Sequence, residues 1–130
     1  YSYATLTEMK GEMLKTVLED VADNLFNPDP YYQQGGDMVR VGGLTYACDP
    51  LAGMGKRISD MRLKGKPIDA SKNYLVAGWA PVSEEASKAG NKMVWDLVEE
   101  WLKARGGKVA PRKLNSPKLT GGLPNPGYAA

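Results

Sequence analysis

The residue types that normally carry enzyme chemistry are scarce in this chain of 130 residues. It contains no histidine and a single cysteine, Cys48. A Ser-His-Asp or Cys-His arrangement therefore cannot be built, and a metal site made of thiolates or imidazoles is excluded. The carboxylates are dispersed, and neighbours such as Glu84-Glu85 and Glu99-Glu100 would point about 100° apart on a helix, not at one ion. We therefore predict no catalytic residue and no metal ligand in this chain.

A glycine-rich segment, Gly53-Met54-Gly55-Lys56-Arg57, has the small and cationic residues of a phosphate-binding loop. It does not match the longer pattern G-x-x-x-x-G-K-[ST] of such loops. The sequence also predicts no buried strand leading into it and no helix after it. We expect a turn between strands. Cys48 lies in a strand pattern without a histidine to activate it, and we expect it to be a small buried apolar residue.

Aromatic side chains offer a different chemistry, the recognition of a ligand or a protein partner by stacking. Six of them fall at chain ends or in loop-like segments: Tyr1, Tyr3, Tyr31, Tyr32, Trp79 and Tyr128. Trp95 and Trp101 lie in a helical pattern, and we expect both to pack in a core. Trp79 follows an apolar run and precedes Ala80-Pro81, so core and ligand-site roles stay equally open for it.

The composition, with 42% hydrophobic and 25% charged residues, is that of an ordinary soluble globular domain. The net charge of +2 is unevenly distributed, because residues 106–130 carry basic side chains and no acid. Since this tail has no interleaved aromatics, it predicts no nucleic-acid binding. No segment has the roughly 20 apolar residues that cross a bilayer, so no membrane association is predicted. The chain begins at Tyr1 without a methionine or a visible signal peptide, and we expect a processed or excised piece.

The hydrophobic pattern of the first half predicts a strand at 4–9 and a helix at 11–25. The helix has an apolar stripe with helical spacing, formed by Leu14, Val17, Leu18, Val21 and Leu25. Asn27-Pro28-Asp29-Pro30 ends it, because proline lacks the amide donor. Strands are expected at 38–41 and 44–48, joined at Gly42-Gly43 by a hairpin turn or by a bulge within one bent strand.

The second half predicts a surface strand at 57–63, a turn at 64–67 and one helical turn at 69–72. The apolar run at 74–79 is expected to be a strand covered on both faces. A second helix is predicted from an N-cap at Ser83, with strong periodicity from Met93 and an end at Gly106-Gly107. The fold class is therefore α+β, a twisted mixed sheet with packed helices, in residues 1–105. The basic, Pro/Gly-rich tail at 106–130 is expected to run extended or to be partly disordered.

Four segments carry a resemblance to a known family. They are residues 6–14, residues 36–46 with Asp49-Pro50, Gly55-Lys56-Arg57-Ile58 with Gly65-Lys66-Pro67-Ile68-Asp69, and Tyr74-Leu75-Val76-Ala77. In this order and at compatible spacing they resemble four parts of the 5'-nucleotidase C-terminal domain: a strand with its helix, a glycine-bend strand pair, a strand with its turn, and the last buried strand. The resemblance extends from about Tyr3 to Leu102 and implies that fold.

One segment departs from the nucleotidases of this family. Where they have a Gly-Gly-Asp-Gly-Phe/Tyr loop, which supplies one aromatic of a nucleobase clamp, this chain has Gly78-Trp79-Ala80-Pro81-Val82. The Gly-Gly-Asp-Met-Val-Arg-Val-Gly-Gly-Leu-Thr-Tyr sequence of residues 35–46 is instead similar to the SoxB-type thiosulfohydrolases of the sulfur-oxidation pathway. The Val-Ala-Gly-Trp-Ala strand end and the basic tail are similar to that group as well.

This resemblance implies that the chain is the C-terminal, substrate-cleft domain of a larger periplasmic enzyme. Such enzymes release sulfate from a cysteine-S-thiosulfonate on a sulfur-carrier protein during thiosulfate oxidation. They use two manganese ions that an N-terminal metallophosphoesterase-like domain holds. The partners implied are that domain and the carrier protein. On its own, the chain would bind no manganese and have no hydrolase activity.

The resemblance also makes Tyr1, Tyr3, Trp79 and Arg40 candidates for lining the cleft that faces the N-terminal domain. Arg40 either faces an anion there or is a solvated strand arginine. Two alternative functions stay open. One is the C-terminal substrate-binding domain of a periplasmic 5'-nucleotidase or related phosphoesterase, and the other is a non-enzymatic module that binds a protein partner.

Overall fold

The computed structural model describes residues 3–36, 41–78, 91–110 and 115–121. The chain divides into two compact units, which we call the first and the second unit. The first unit comprises Tyr1–Met9 and Asn73–Lys113, and the second comprises Lys10–Lys72 and Leu114–Ala130. The strand predicted at 38–41, except for its last residue, and the N-cap predicted at Ser83 lie outside the described residues.

The described strands form two sheets. In chain order the elements are β1 (Thr5–Lys10), α1 (Gly11–Phe26), a 3-10 helix (Pro30–Tyr32), β2 (Leu44–Cys48), β3 (Ile58–Leu63), β4 (Lys66–Pro67), β5 (Asn73–Gly78), α2 (Val94–Lys103) and β6 (Lys118–Leu119). One sheet pairs β1 with β5, and the other has the order β4-β3-β2-β6. In the larger sheet β6 is parallel to β2, whereas the other pairs are antiparallel. The predicted α+β fold with a mixed sheet is confirmed.

The core of the second unit is formed by α1, β2 and β3. Its buried apolar residues are Leu18, Ala22, Leu44, Tyr46, Cys48 and Ile58. Cys48 is therefore the small buried residue that the sequence predicts. The apolar stripe predicted for α1 is only partly right, because Leu18 is its one fully buried member. The buried face of α1 is completed by Gly11, Ala22 and the acid Glu19, which the stripe does not include.

A bulge in β3 decides which of its side chains reach this core. The register with β2 shifts there, so that Tyr46 faces two residues of β3, Asp60 and Met61. Asp60 takes a positive φ of 48°. Simple alternation puts Ile58 and Met61 on opposite faces, but the extra residue lets both pack against the core. The expected surface strand is thus wrong at Ile58, which is fully buried.

Two turns follow β3. Lys64 and Gly65 join β3 to β4, and both have positive φ, 51° and 81°, as the two-residue hairpin turn of type I′ requires. The helical turn predicted at 69–72 is wrong. Asp69 instead organises a tight turn, in which its carboxylate accepts hydrogen bonds from the amide and the hydroxyl of Ser71 at 2.9 and 2.8 Å.

The start of α1 is held by this Asp69 turn and has no capping side chain. The amides of Gly11 and Glu12 donate hydrogen bonds of 3.0 Å to the carbonyls of Lys72 and Ala70. These bonds satisfy two of the amides that a helix leaves unpaired at its N-terminus. A Cβ atom at position 11 would overlap the carbonyl oxygen of Asp69. Glycine is needed here for close approach of two backbones.

The first unit has no buried apolar residue in its described part. β5 alternates between exposed and half-buried positions, and Leu75 is 67% exposed. The expectation of a strand covered on both faces is therefore wrong. α2 forms within the predicted periodic segment and is followed by Gly106 and Gly107 at positive φ, as expected. Trp95 and Trp101 are nonetheless exposed, so the prediction that they pack in a core is also wrong.

Part of the tail belongs to the larger sheet. β6 runs extended, as expected, but its parallel pairing with β2 is not predicted by the sequence. The Asn115 side chain donates hydrogen bonds to the carbonyls of Val41 and Leu44, both at 2.6 Å, and fixes the approach of the tail. The division of the chain at residue 105 into a domain and a tail stays a prediction. Among the helices in the described ranges, none has the length and apolar character of a membrane span.

We expect the Gly11→Ala substitution to lower the free energy of unfolding by about 1–3 kcal/mol, because the new methyl group forces α1 away from the Asp69 turn. Urea unfolding followed by circular dichroism measures this loss. Gly53→Ala is the matched control, since a Cβ atom at that position meets nothing within 4 Å. Equal stability of the two variants would show that the close approach at Gly11 is not a constraint.

Candidate functional site

Of the four residues predicted to line a substrate cleft, Tyr3 lies within the described residues, whereas Tyr1, Arg40 and Trp79 lie outside them. Tyr3 is 53% exposed and forms an isolated antiparallel bridge with Met93, the residue before α2. The amide of the next residue, Ala4, donates a hydrogen bond of 3.0 Å to the carbonyl of Lys92. The accessible phenol ring of Tyr3 therefore lies beside the start of α2. The ring is available for stacking or hydrogen bonding.

A charged pair adjoins this bridge. Lys92, the residue before Met93, donates to both carboxylate oxygens of Glu100, at 3.0 and 2.9 Å. Both side chains are more than half exposed, so the pair contributes little to stability. Its effect is to neutralise the Lys92 cation at this end of α2. Beside the Tyr3–Met93 bridge the structure thus presents an exposed aromatic ring, whereas the charge of Lys92 is compensated by Glu100.

A second aromatic feature lies in the second unit. Tyr31 and Tyr32 stand edge to face, with ring centroids 5.4 Å apart, and both are exposed. The short 3-10 helix that presents them is capped by Asp29, whose carboxylate accepts the amide of Tyr31 at 2.9 Å. Both tyrosines lie between α1 and β2 as predicted, but in a 3-10 helix and not in a loop. Their role as a ligand site stays a prediction.

An open cleft of about 650 Å³ lies in the second unit, between α1 and the β3–β4 hairpin. Its wall includes the apolar side chains of Ile58, Met61 and Ile68, and the exposed residues Glu12, Lys15 and Asp60 also line it. No histidine or cysteine lines it. The sequence does not indicate this cleft, because the bulge that brings Met61 to the core side is not visible in the alternation pattern.

The glycine-rich segment at 53–57 is a turn, as predicted, and it does bind an anion. The anion is the buried carboxylate of Glu19. Its Oε2 accepts hydrogen bonds from the amides of Gly55 and Arg57, at 2.8 and 3.2 Å, and its Oε1 accepts the amide of Ile58 at 2.8 Å. Converging backbone amides are the groups that bind phosphate in glycine-rich loops. Here they are already satisfied from within the chain.

Arg57 extends this network under the same helix. Its side chain is 2% exposed, and its guanidinium donates to the Asp23 carboxylate at 2.6 Å and to the Phe26 carbonyl at 3.2 Å. A buried guanidinium needs such partners, because an unpaired charge in the interior is costly. Glu19 and Asp23 are spaced i, i+4 on α1. That spacing beside the apolar stripe is the one sequence signal that could have revealed the network.

Hydrogen bonding and burial shift three pKa values in this region. The hydrogen bonds from Arg57 and Asn27 hold the pKa of Asp23 below its usual value of 3.8. Burial raises the pKa of Tyr46 to about 12. Burial, with the nearby Glu19 carboxylate as a smaller cause, raises the pKa of the Cys48 thiol. At neutral pH the thiol is protonated and buried, which makes it a poor nucleophile.

The carboxylates of the described residues do not form a metal centre. No group of three or more histidine, cysteine, aspartate or glutamate side chains in these ranges is arranged to hold an ion. Glu19 is occupied by backbone amides and Asp23 by Arg57.

Comparison with known proteins identifies related sequences and folds. The family described as "5'-nucleotidase, C-terminal domain" matches residues 2–87. The fold is similar to that of the sulfate thiohydrolase SoxB from Thermus thermophilus, solved in complex with glycerol. The TM-score is 0.76 at 32% sequence identity, covering 95% of this chain and 23% of that one. A search of curated proteins gives no match.

A protein from Staphylococcus aureus described as a 5'-nucleotidase, in complex with alpha-ketoglutarate, is also similar. The TM-score is 0.58 at 16% identity, covering 91% of this chain and 27% of that one. At this identity the similarity demonstrates a common fold alone. The chain thus spans about a quarter of the length of each of these two solved structures.

We expect Glu19→Ala to lower the free energy of unfolding by at least about 3 kcal/mol, because it leaves three amides without their acceptor. Chemical denaturation measures this change. Asp20→Ala is the control on the same helix, since Asp20 is exposed, and it should change stability by no more than about 0.5 kcal/mol. Losses of similar size in both variants would mean that helix propensity, and not the amide contacts, explains the effect.

The lowered pKa of Asp23 predicts a stability that depends on acid pH. The folded state favours the ionised carboxylate, so its contribution is fully present above the ordinary value of 3.8 and is lost as the pH falls through the lower folded value. Denaturation of the native protein and of Asp23→Asn across this range provides the test. The Asp23→Asn variant should be less stable at neutral pH and show a shallower loss in acid. Identical pH profiles would contradict the assignment.

Proposed function

The chain belongs to the family of 5'-nucleotidase C-terminal domains, and from this premise we propose that it is the substrate-cleft domain of a metal-dependent thiosulfohydrolase. In this proposal the whole enzyme releases sulfate from a cysteine-S-thiosulfonate on a sulfur-carrier protein. The observation that carries the proposal is the similarity to the SoxB sulfate thiohydrolase, at 32% identity over 95% of this chain. The nucleotidase similarity, at 16% identity, supports the fold and does not favour its substrate.

The division of labour in this proposal follows from the residue types. The chain has no histidine, and its described carboxylates form no cluster of three suited to a metal ion. Two manganese ions would be held by an N-terminal metallophosphoesterase-like domain and would supply the activated water for hydrolysis. This chain would orient the carrier segment and exclude water around it. We place the enzyme in the periplasm, where the carrier protein would be encountered.

The proposed cleft residues are Tyr1, Tyr3, Trp79 and Arg40. The accessible ring of Tyr3 beside Met93 supports this role, because an aromatic ring at an edge can pack against an extended peptide arm. The sequence after β5 lacks the glycine-aspartate-aromatic loop that nucleotidases use to bind the base. That difference favours a carrier arm over a nucleotide as the occupant of the cleft.

The decisive experiment uses the full-length protein encoded by the parent gene, loaded with manganese. We expect sulfate release from a carrier protein bearing a cysteine-S-thiosulfonate, and little phosphate release from adenosine monophosphate. The 130-residue chain alone should release neither and should show no stoichiometric manganese binding in a calorimetric titration. Efficient phosphate release without sulfate release would support the nucleotidase instead, and the absence of both would support a binding module.

Tyr3→Ala in the full-length protein should lower kcat/KM for the carrier substrate by about tenfold, which corresponds to about 1.4 kcal/mol of lost transition-state binding. Leu51→Ala, which removes another exposed apolar side chain, should leave kcat/KM unchanged. If the two variants behave alike, Tyr3 does not contact the carrier.

A further inference from the structure

The described part of the first unit fully buries none of its apolar side chains. It consists of the β1–β5 sheet, α2 and the segments around them, and none of its apolar residues is buried. A two-stranded sheet is marginally stable by itself, and a helix as short as α2 depends on packing for most of its stability. Leu6 on β1 and Leu75 on β5 are both more than half exposed. These elements need an apolar surface to cover them.

The clearest uncovered surface is on α2. Trp95 and Val98 are i, i+3 neighbours, so they lie on one side of the helix, and they are 56% and 50% exposed. We call this pair the α2 face. Beside it, the Arg105 guanidinium lies 3.9 Å from the centre of the Trp101 ring. An exposed tryptophan next to an exposed aliphatic residue is typical of the centre of an interface.

The charged residues of α2 flank the α2 face or lie opposite it, and two of them form pairs. Lys103 contacts Glu99 at 2.6 Å, and Lys92 contacts Glu100 at 2.9 Å. These exposed pairs are compatible with solvent, whereas the α2 face gains free energy when water is removed from it. A partner for this face therefore presents apolar side chains at its centre, and the Glu99–Lys103 pair lies at the rim of the interface.

The length of the related chain indicates where such a partner comes from. The match to the sulfate thiohydrolase covers 95% of this chain but 23% of the other, so that protein contains this fold within a polypeptide about four times longer. We propose that the α2 face packs against an apolar patch on another domain of the same polypeptide. The inference rests on the proposed function in one respect, the existence of a companion domain, and it adds the surface through which that domain is held.

The experiment uses cysteine labelling, for which this chain is well suited. Its one native cysteine, Cys48, is completely buried and does not compete for a maleimide reagent in the folded protein. Val98→Cys introduces a reactive thiol on the α2 face. Asp96→Cys is the matched control, because Asp96 is exposed on the same helix away from the α2 face. Each variant is labelled in the 130-residue chain and in the full-length protein.

We expect the thiol of Val98→Cys to react at least about tenfold more slowly in the full-length protein than in the 130-residue chain, because labelling then requires opening of the interface. The control thiol should react at the same rate in both. If Val98→Cys lowers the melting temperature of the shorter chain, Trp95→Cys tests the same face. Equal rates for Val98→Cys in both proteins would overturn the proposal, because the face would then be open to solvent. Slow labelling in both would also overturn it, because the cover would then come from this chain.

The outcome is independent of the reaction that the enzyme catalyses. Protection of Val98→Cys in a full-length protein that releases no sulfate would support the interface and contradict the proposed function. Sulfate release without protection would support the proposed function and contradict the interface.

Discussion

The second unit depends on one carboxylate buried beneath its helix. Glu19 accepts the amides of Gly55, Arg57 and Ile58, and so it joins the middle of α1 to the loop that leads into β3. An interior amide without an acceptor would cost free energy. The same contact sets the start of β3, because the amide of Ile58 is its first. The core position of Ile58 and the cleft between α1 and β3 both follow from it.

This arrangement also explains why a loop that looks suited to phosphate does not make this chain a phosphate-binding domain. The loop is closed by a hydrogen bond of 2.9 Å from the amide of Asp49 to the carbonyl of Arg57, and Gly55 adopts a positive φ of 83° within it. Its amides converge as in an anion-binding site, but the anion that they bind is the Glu19 carboxylate of the same chain. Arg57 turns inward to Asp23 and does not reach outward for a ligand. The basic character of the loop is therefore used for stability.

Local patterns in the sequence predict the elements whose formation is local. The helix α1 and the strand β2 form where the sequence predicts them, and the turn predicted at 64–67 is right at Lys64-Gly65, whereas Lys66–Pro67 forms β4. The predictions are wrong where contacts between residues distant in the sequence determine the structure. Alternation cannot reveal a bulge opposite Tyr46, and apolar content alone does not say that β5 pairs only with β1 among the described strands. The adjacency of Tyr3 and Met93 joins residues that are remote in the chain, so no spacing rule could have placed them together.

The parallel pairing of β6 with β2 has a consequence for the order of assembly. One edge of β2 can pair with β3 once both strands have been synthesised. Its other edge pairs with Lys118 and Leu119 and accepts the Thr120 amide at the Cys48 carbonyl, and these residues are synthesised much later. During synthesis that edge stays open until residues 118–120 have been made. An unpaired strand edge is a template for association between nascent chains. The pairing of β6, which is made long after β2, thus protects this edge of the sheet.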